Sequence, residues 1–109
     1  MELHDLDDAE QLAFGGLLRM MIRKDGDFSE AEEARVDALS GSAGREAIWR
    51  LISRSAQDLR DDSSIRLAAS RISRAETRTY ILEALSQVAA ADGTNEAEAQ
   101  MLVWLRSIW

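Results

Sequence analysis

Asp25-Gly26-Asp27-Phe28-Ser29-Glu30-Ala31-Glu32 reads as a corner between two helical runs, and Asp92-Gly93-Thr94-Asn95-Glu96-Ala97-Glu98 repeats the device near the end of the chain. Each copy follows an apolar run of helical type, Leu17-Leu18-Arg19-Met20-Met21-Ile22 before the first and Leu85-Ser86-Gln87-Val88-Ala89-Ala90 before the second. Each is followed by an acidic helix start. Two copies of one supersecondary unit in a chain this short indicate an internal duplication. The predicted fold is therefore all-α, a compact bundle of about six helices with a pseudo-two-fold repeat of helix, Asp-Gly corner and helix.

Working outward from the corners, the first helix starts between Asp5 and Asp8, where carboxylates favour the positive end of the helix dipole. Its apolar stripe takes in Leu6, Ala9, Leu12, Ala13, Gly16, Leu17 and Met20, widened by Phe14, Leu18, Met21 and Ile22. Gly15-Gly16 inside that helix costs about 1 kcal/mol per glycine against alanine, which predicts close approach of a neighbouring helix. At the first corner Gly26 suits the left-handed end of a helix, and Ser29 with Glu32 forms a capping box for the second, which stops at Gly41. After a turn closed by Gly44, a third helix carries Ala47, Ile48, Leu51, Ile52 and Ser55, with Glu46 and Arg50 paired on its outer side. Asp61-Asp62-Ser63-Ser64 caps a short fourth helix. Ser73 with Glu76 caps a fifth that ends at Gly93, and Asn95 with Glu98 caps the sixth.

The 109 residues make one domain, 1–109, with a core that needs no staples. The absence of cysteine excludes disulfides, thiolate nucleophiles and zinc-thiolate sites. No stretch approaches the roughly 18 apolar residues of a membrane span, and the acidic start Met1-Glu2-Leu3-His4-Asp5 lacks a signal peptide's basic region. These features are those of a cytoplasmic protein without an integral membrane segment. A net charge of −7 argues against nucleic acid as partner. The charge is also divided. Residues 45–78 hold eight arginines (45, 50, 54, 60, 66, 71, 74 and 78) against five acids, a net +3, and the remainder carries −10. Either the basic middle neutralises acidic flanks within the fold, or it offers a surface to an acidic protein partner, another copy of the chain included.

The aspartates that open the corners, Asp25 and Asp92, face the negative end of a helix dipole, a choice disfavoured by roughly 0.3–1 kcal/mol. Two readings stand. Each carboxylate folds forward onto backbone N–H groups, as aspartate does in turns; or Asp25, Asp27, Asp92, Glu32 and Glu98 hold a divalent cation between adjacent corners, calcium or magnesium suiting such hard oxygen ligands. An EF-hand does not fit. Its sixth position would be Glu30 instead of glycine, and its twelfth Val36 instead of a bidentate glutamate. The single histidine, His4, lies near the terminus, and no nucleophilic constellation assembles around it.

Taken together, Lys24-Asp25-Gly26-Asp27-Phe28-Ser29-Glu30-Ala31-Glu32, Ala91-Asp92-Gly93 with Glu98, and Ile72-Ser73-Arg74-Ala75-Glu76-Thr77-Arg78 leading into Ile81-Leu82 resemble the TerB-like family, which spans tellurite-resistance protein TerB and DjlA N-terminal-type helical domains. The resemblance covers roughly residues 10 to 106. The second corner departs from the family pattern, with Asn95 and Glu96 where an apolar residue and then serine or threonine are usual. The resemblance implies an all-helical domain with pseudo-two-fold symmetry and an acidic patch for metal or contacts, in stress response and membrane-associated assemblies. The expectation is a non-enzymatic bacterial interaction or scaffold domain, open to peripheral association with a membrane complex and to homo-oligomers. A divalent-cation sensor competes with it, and a metal-dependent hydrolase using the same carboxylates is a further alternative.

Overall fold

The long helix α1 (Asp8–Asp25) is the element on which the others are laid. Phe14, Leu17, Leu18, Met20 and Met21 are each at most 1% exposed, so apolar residues surround its middle instead of lining one stripe. Such a helix must be covered on most sides. It is packed by α3 (Glu46–Asp58), α4 (Asp62–Ser70), α5 (Ala75–Ala90) and α6 (Glu96–Ile108), while the short α2 (Glu30–Ala38) lies against α3 and α5. The structure, a computed structural model, describes residues 1–25, 30–39, 41, 46–91 and 96–109, the side chains of Lys24, Asp25 and Glu32 excepted. The described residues form six α-helices and no strand, within 31 × 30 × 26 Å.

The glycine pair explains how α1 can be covered so closely. A Cβ on Gly15 would stand 2.7 Å from the Leu51 carbonyl oxygen of α3, and one on Gly16 would stand 2.9 Å from Ile65 Cγ1 of α4. The backbones of α1 and α3 therefore meet where only hydrogen fits. The close approach expected from Gly15-Gly16 is what the structure contains.

Two helix starts, those of α1 and α4, follow local chemistry. Asp7 and Glu10 bond reciprocally, Glu10 N–H to Asp7 Oδ1 at 2.8 Å and Asp7 N–H to Glu10 Oε1 at 2.9 Å, which fixes the start of α1 at Asp8. Asp61 accepts from the Ser64 N–H at 2.8 Å and caps α4 as expected. The Glu46–Arg50 pair forms at 3.3 Å on α3. Gly41 has φ +53, the left-handed conformation in which glycine is unstrained, three residues after α2 ends.

Two expectations are corrected. Ser73 does not cap α5: the N-cap is Arg74, whose side chain makes no capping bond and instead crosses to Glu10. Pairing with a buried carboxylate outweighs the local cap. Leu6 belongs to no helix stripe of α1; Leu3–Asp5 form a separate 3-10 turn, and Leu3 and Leu6, 6% and 4% exposed, pin it to the core. The expected roles of Gly26, Ser29 with Glu32, Gly44, Gly93 and Asn95 with Glu98 involve positions outside the described residues.

Candidate functional site

The helices that flank the two corners pack crosswise. α1, which enters the first corner, lies against α6, which leaves the second; α5, which enters the second, lies against α2, which leaves the first. Met20, five residues before the end of α1, shares a cleft of about 260 Å³ with Ala97 and Met101 at the start of α6. The Arg66 guanidinium of α4 closes its edge, 5.1 Å over the Trp104 ring.

The five carboxylates named from the sequence are described unequally. Asp25 is the last residue of α1, Glu32 stands in the first turn of α2, and Glu98 stands in the first turn of α6. Asp27, Asp92 and the side chains of Asp25 and Glu32 lie outside the described residues. Among the described residues no three acidic or histidine side chains gather around a common point that could hold a metal. Glu98 is the informative member. It is 1% exposed, on a helix whose first turn also holds Glu96. Carboxylates are rarely buried so fully, and the positive end of the α6 dipole is a position that favours negative charge.

Two arginines of the basic middle, Arg54 and Arg74, are firmly paired with acidic groups of the fold. Arg54 meets Asp8 through two parallel bonds at 2.8 and 2.7 Å, which holds the Asp8 carboxyl below its ordinary pKa. Arg74 makes a bidentate pair with Glu10, one bond of 2.9 Å from Nε to Oε2 and a second from Nη2 to Oε1. Glu10 is 4% exposed. The Arg74 guanidinium, against the opposing cost of burial, lowers its pKa to about 2, with help from the Asp7 N–H and the Thr77 hydroxyl. Arg78 Nε donates to the Ile72 carbonyl at 2.8 Å. Arg50 remains mostly in solvent, 79% exposed, beside Glu46.

Some supporting residues had no sequence signal. Arg19 of α1 donates to the Ser55 and Leu59 carbonyls at 3.1 and 2.8 Å and so satisfies the C-terminal end of α3. The Asp7-x-x-Glu10 spacing was readable as a capping box, but nothing in the sequence pointed Glu10 at an arginine far along the chain. Trp109 donates from Nε1 to the Ala69 carbonyl at 2.9 Å, which docks it on the end of α4. His4 is exposed, 3.3 Å from Glu2 and 3.5 Å from Asp5, and takes no part in the corners. Among the described residues no helix is long and apolar enough to cross a membrane.

Comparison with curated proteins and with solved structures gave no match. A family model described as tellurite resistance protein TerB matches residues 11–106, from the first turns of α1 to the last of α6. With that span taking in both corners and all six helices, the chain belongs to the TerB family.

Proposed function

We propose that this chain is a non-enzymatic interaction or scaffold domain of a tellurite-resistance-type stress response, working in the cytoplasm through its acidic corners. The observation that carries the reading is the buried Glu98 carboxylate at the start of α6, one residue beyond the Ala97 that shares a cleft with α1. A carboxylate at the positive end of the α6 dipole is a hard oxygen donor of the kind calcium or magnesium takes. The crosswise packing of α1 on α6 and of α5 on α2 supports a pseudo-two-fold arrangement of the two repeats. In that arrangement Asp25, Asp27, Glu32, Asp92 and Glu98 would supply a shared set of hard oxygen ligands for calcium or magnesium. Protein partners would dock on the acidic face that these residues form.

A thermal melt in chelator and then in calcium, magnesium, manganese or zinc tests this. At about 100 times its Kd, one ion stabilises the fold by roughly 2.7 kcal/mol. The expected result is a rise in Tm of several degrees that disappears when Asp25→Asn and Asp92→Asn are combined. No shift with any ion at millimolar concentration would return both aspartates to turn chemistry and leave protein contacts alone. A cation sensor is distinguished by a partner that binds only with metal; a scaffold keeps its partner in chelator.

A further inference from the structure

A second cleft lies at the start of α1. Between the N-terminal 3-10 turn and α3 is a cleft of about 250 Å³, floored by Leu3, Ala47 and Leu51 and bordered by His4, Arg50 and Arg54. Gln11, in the first turn of α1, forms its side wall, with Nε2 committed to the Leu6 carbonyl at 3.1 Å. From Gln11 to Asp25 the helix rises about 20 Å, so the cleft and the first corner are separate places on the molecule.

We infer that this cleft binds a small carboxylate with an apolar body, of the kind a medium-chain acyl acid presents. The floor is aliphatic, with Leu3 supplied by the 3-10 turn and Ala47 and Leu51 by α3. A ligand tail there replaces water against apolar surface. The two arginines differ in what they can offer. Arg54 is fixed by its double bond to Asp8 and lies 3.9 Å from Asp58, so its charge is answered within the fold. Arg50 holds Glu46 by one bond of 3.3 Å, with both side chains about four-fifths exposed, the weak kind of surface pair. Its guanidinium can turn to a ligand carboxylate and bind it through two parallel N–H groups. Glu2 and Asp5 beside His4 oppose further negative charge at the mouth, which selects a monoanion over a dianion. The small volume, below that of ordinary drug-sized sites, limits the tail to medium length.

The test is an amide NMR titration of the full chain with octanoate, compared with butyrate, which lacks most of the tail, and octan-1-ol, which lacks the charge. Saturable shifts at His4, Ala47 and Leu51 with octanoate, and weaker binding of both comparators, are expected. Arg50→Glu, at an exposed position, should weaken octanoate by roughly tenfold or more, as loss of one charge-assisted pair requires. Ala47→Phe should abolish binding by filling the floor, and a thermal melt confirms that each variant is folded. No saturable shift with octanoate in the parent protein overturns the inference. So does octan-1-ol or butyrate binding as tightly as octanoate, or an Arg50→Glu variant with unchanged affinity.

Discussion

Glu10 and Arg74, separated by 64 positions in the chain, form a bidentate ion pair in which the carboxylate is buried and the guanidinium is half in solvent. The pair ties the first turn of α1 to the connection between α4 and α5. The Glu10 pKa of about 2, against an ordinary 4.5, sets the direction of its pH dependence. A depressed carboxylate contributes stability that is present above the unfolded pKa and is lost as pH falls through the folded one. Glu10→Gln should therefore cost about 2 kcal/mol at neutral pH, as loss of a charged hydrogen-bonded pair does. For a domain of this size that is a fall in Tm on the order of 10 °C. Melts of parent and variant from pH 7 down to 2 should show the difference persisting above about 4.5 and closing between there and 2. A constant difference across that window would mean that charge is not what Glu10 supplies.

Gly15 and Gly16 should respond differently to alanine. At Gly15 the new methyl would meet a backbone oxygen, Leu51 O, at 2.7 Å, and the α1–α3 packing would have to open. Overpacking of this kind costs roughly 1–3 kcal/mol, enough to cancel or exceed the gain of about 1 kcal/mol in helix propensity. At Gly16 the nearest atoms are the inner carbons of the buried Ile65, Cγ1 at 2.9 Å and Cγ2 at 3.2 Å, with Leu59 Cδ1 at 3.3 Å; these side chains must be displaced, but no backbone stands in the way. Both substitutions should be destabilising in urea unfolding, Gly15→Ala more than Gly16→Ala. The reverse order would contradict the tight α1–α3 contact.

The contrast between these residues shows where the sequence was legible. Helical period and the Gly15-Gly16 pair are local patterns, and each maps onto an element or a close approach in the fold. Ser73 with Glu76 was also a local pattern, yet the structure places the N-cap at Arg74 because that side chain is drawn to Glu10. Local rules fail when a distant partner competes for the same residue, and spacing in the chain does not encode that partner. The same limit applies to the candidate site. The corners could be found from Asp25 and Asp92, but the burial of Glu98 depends on how α6 seats against its neighbours. Likewise, the arginines of residues 45–78 were visible as a cluster, and only the fold shows Arg54 and Arg74 neutralised while Arg50 faces solvent.

Arg19 offers a prediction about local stability. Its guanidinium bonds to the Ser55 carbonyl, which also accepts the Leu59 N–H at 2.8 Å, and to the Leu59 carbonyl just past the end of α3. Arg19→Met keeps most of the aliphatic stem and removes the donors. The cost should be about 1 kcal/mol, with faster amide exchange confined to the last turn of α3 and the following residues. Uniformly faster exchange throughout the molecule would show that Arg19 supports the whole core instead.

Glu98 gives the sharpest separation between structure and metal chemistry. The side chain is 1% exposed in the first turn of α6, so its shape matters to packing whatever its charge does. Glu98→Gln preserves that shape and removes the negative charge; Glu98→Ala removes both. In chelator, Glu98→Gln should melt within about 1 kcal/mol of the parent, and Glu98→Ala should lose more because it also leaves a cavity. With a divalent cation, the parent should rise in Tm and both variants should rise less, since a neutral amide is a poorer ligand for a hard cation than a carboxylate. If Glu98→Gln keeps the full metal-dependent rise while the Asp25→Asn and Asp92→Asn pair loses it, the ion is held by the corner aspartates without Glu98. The buried glutamate would then be a packing element that anchors α6, and the candidate ligand set would contract to the corners themselves.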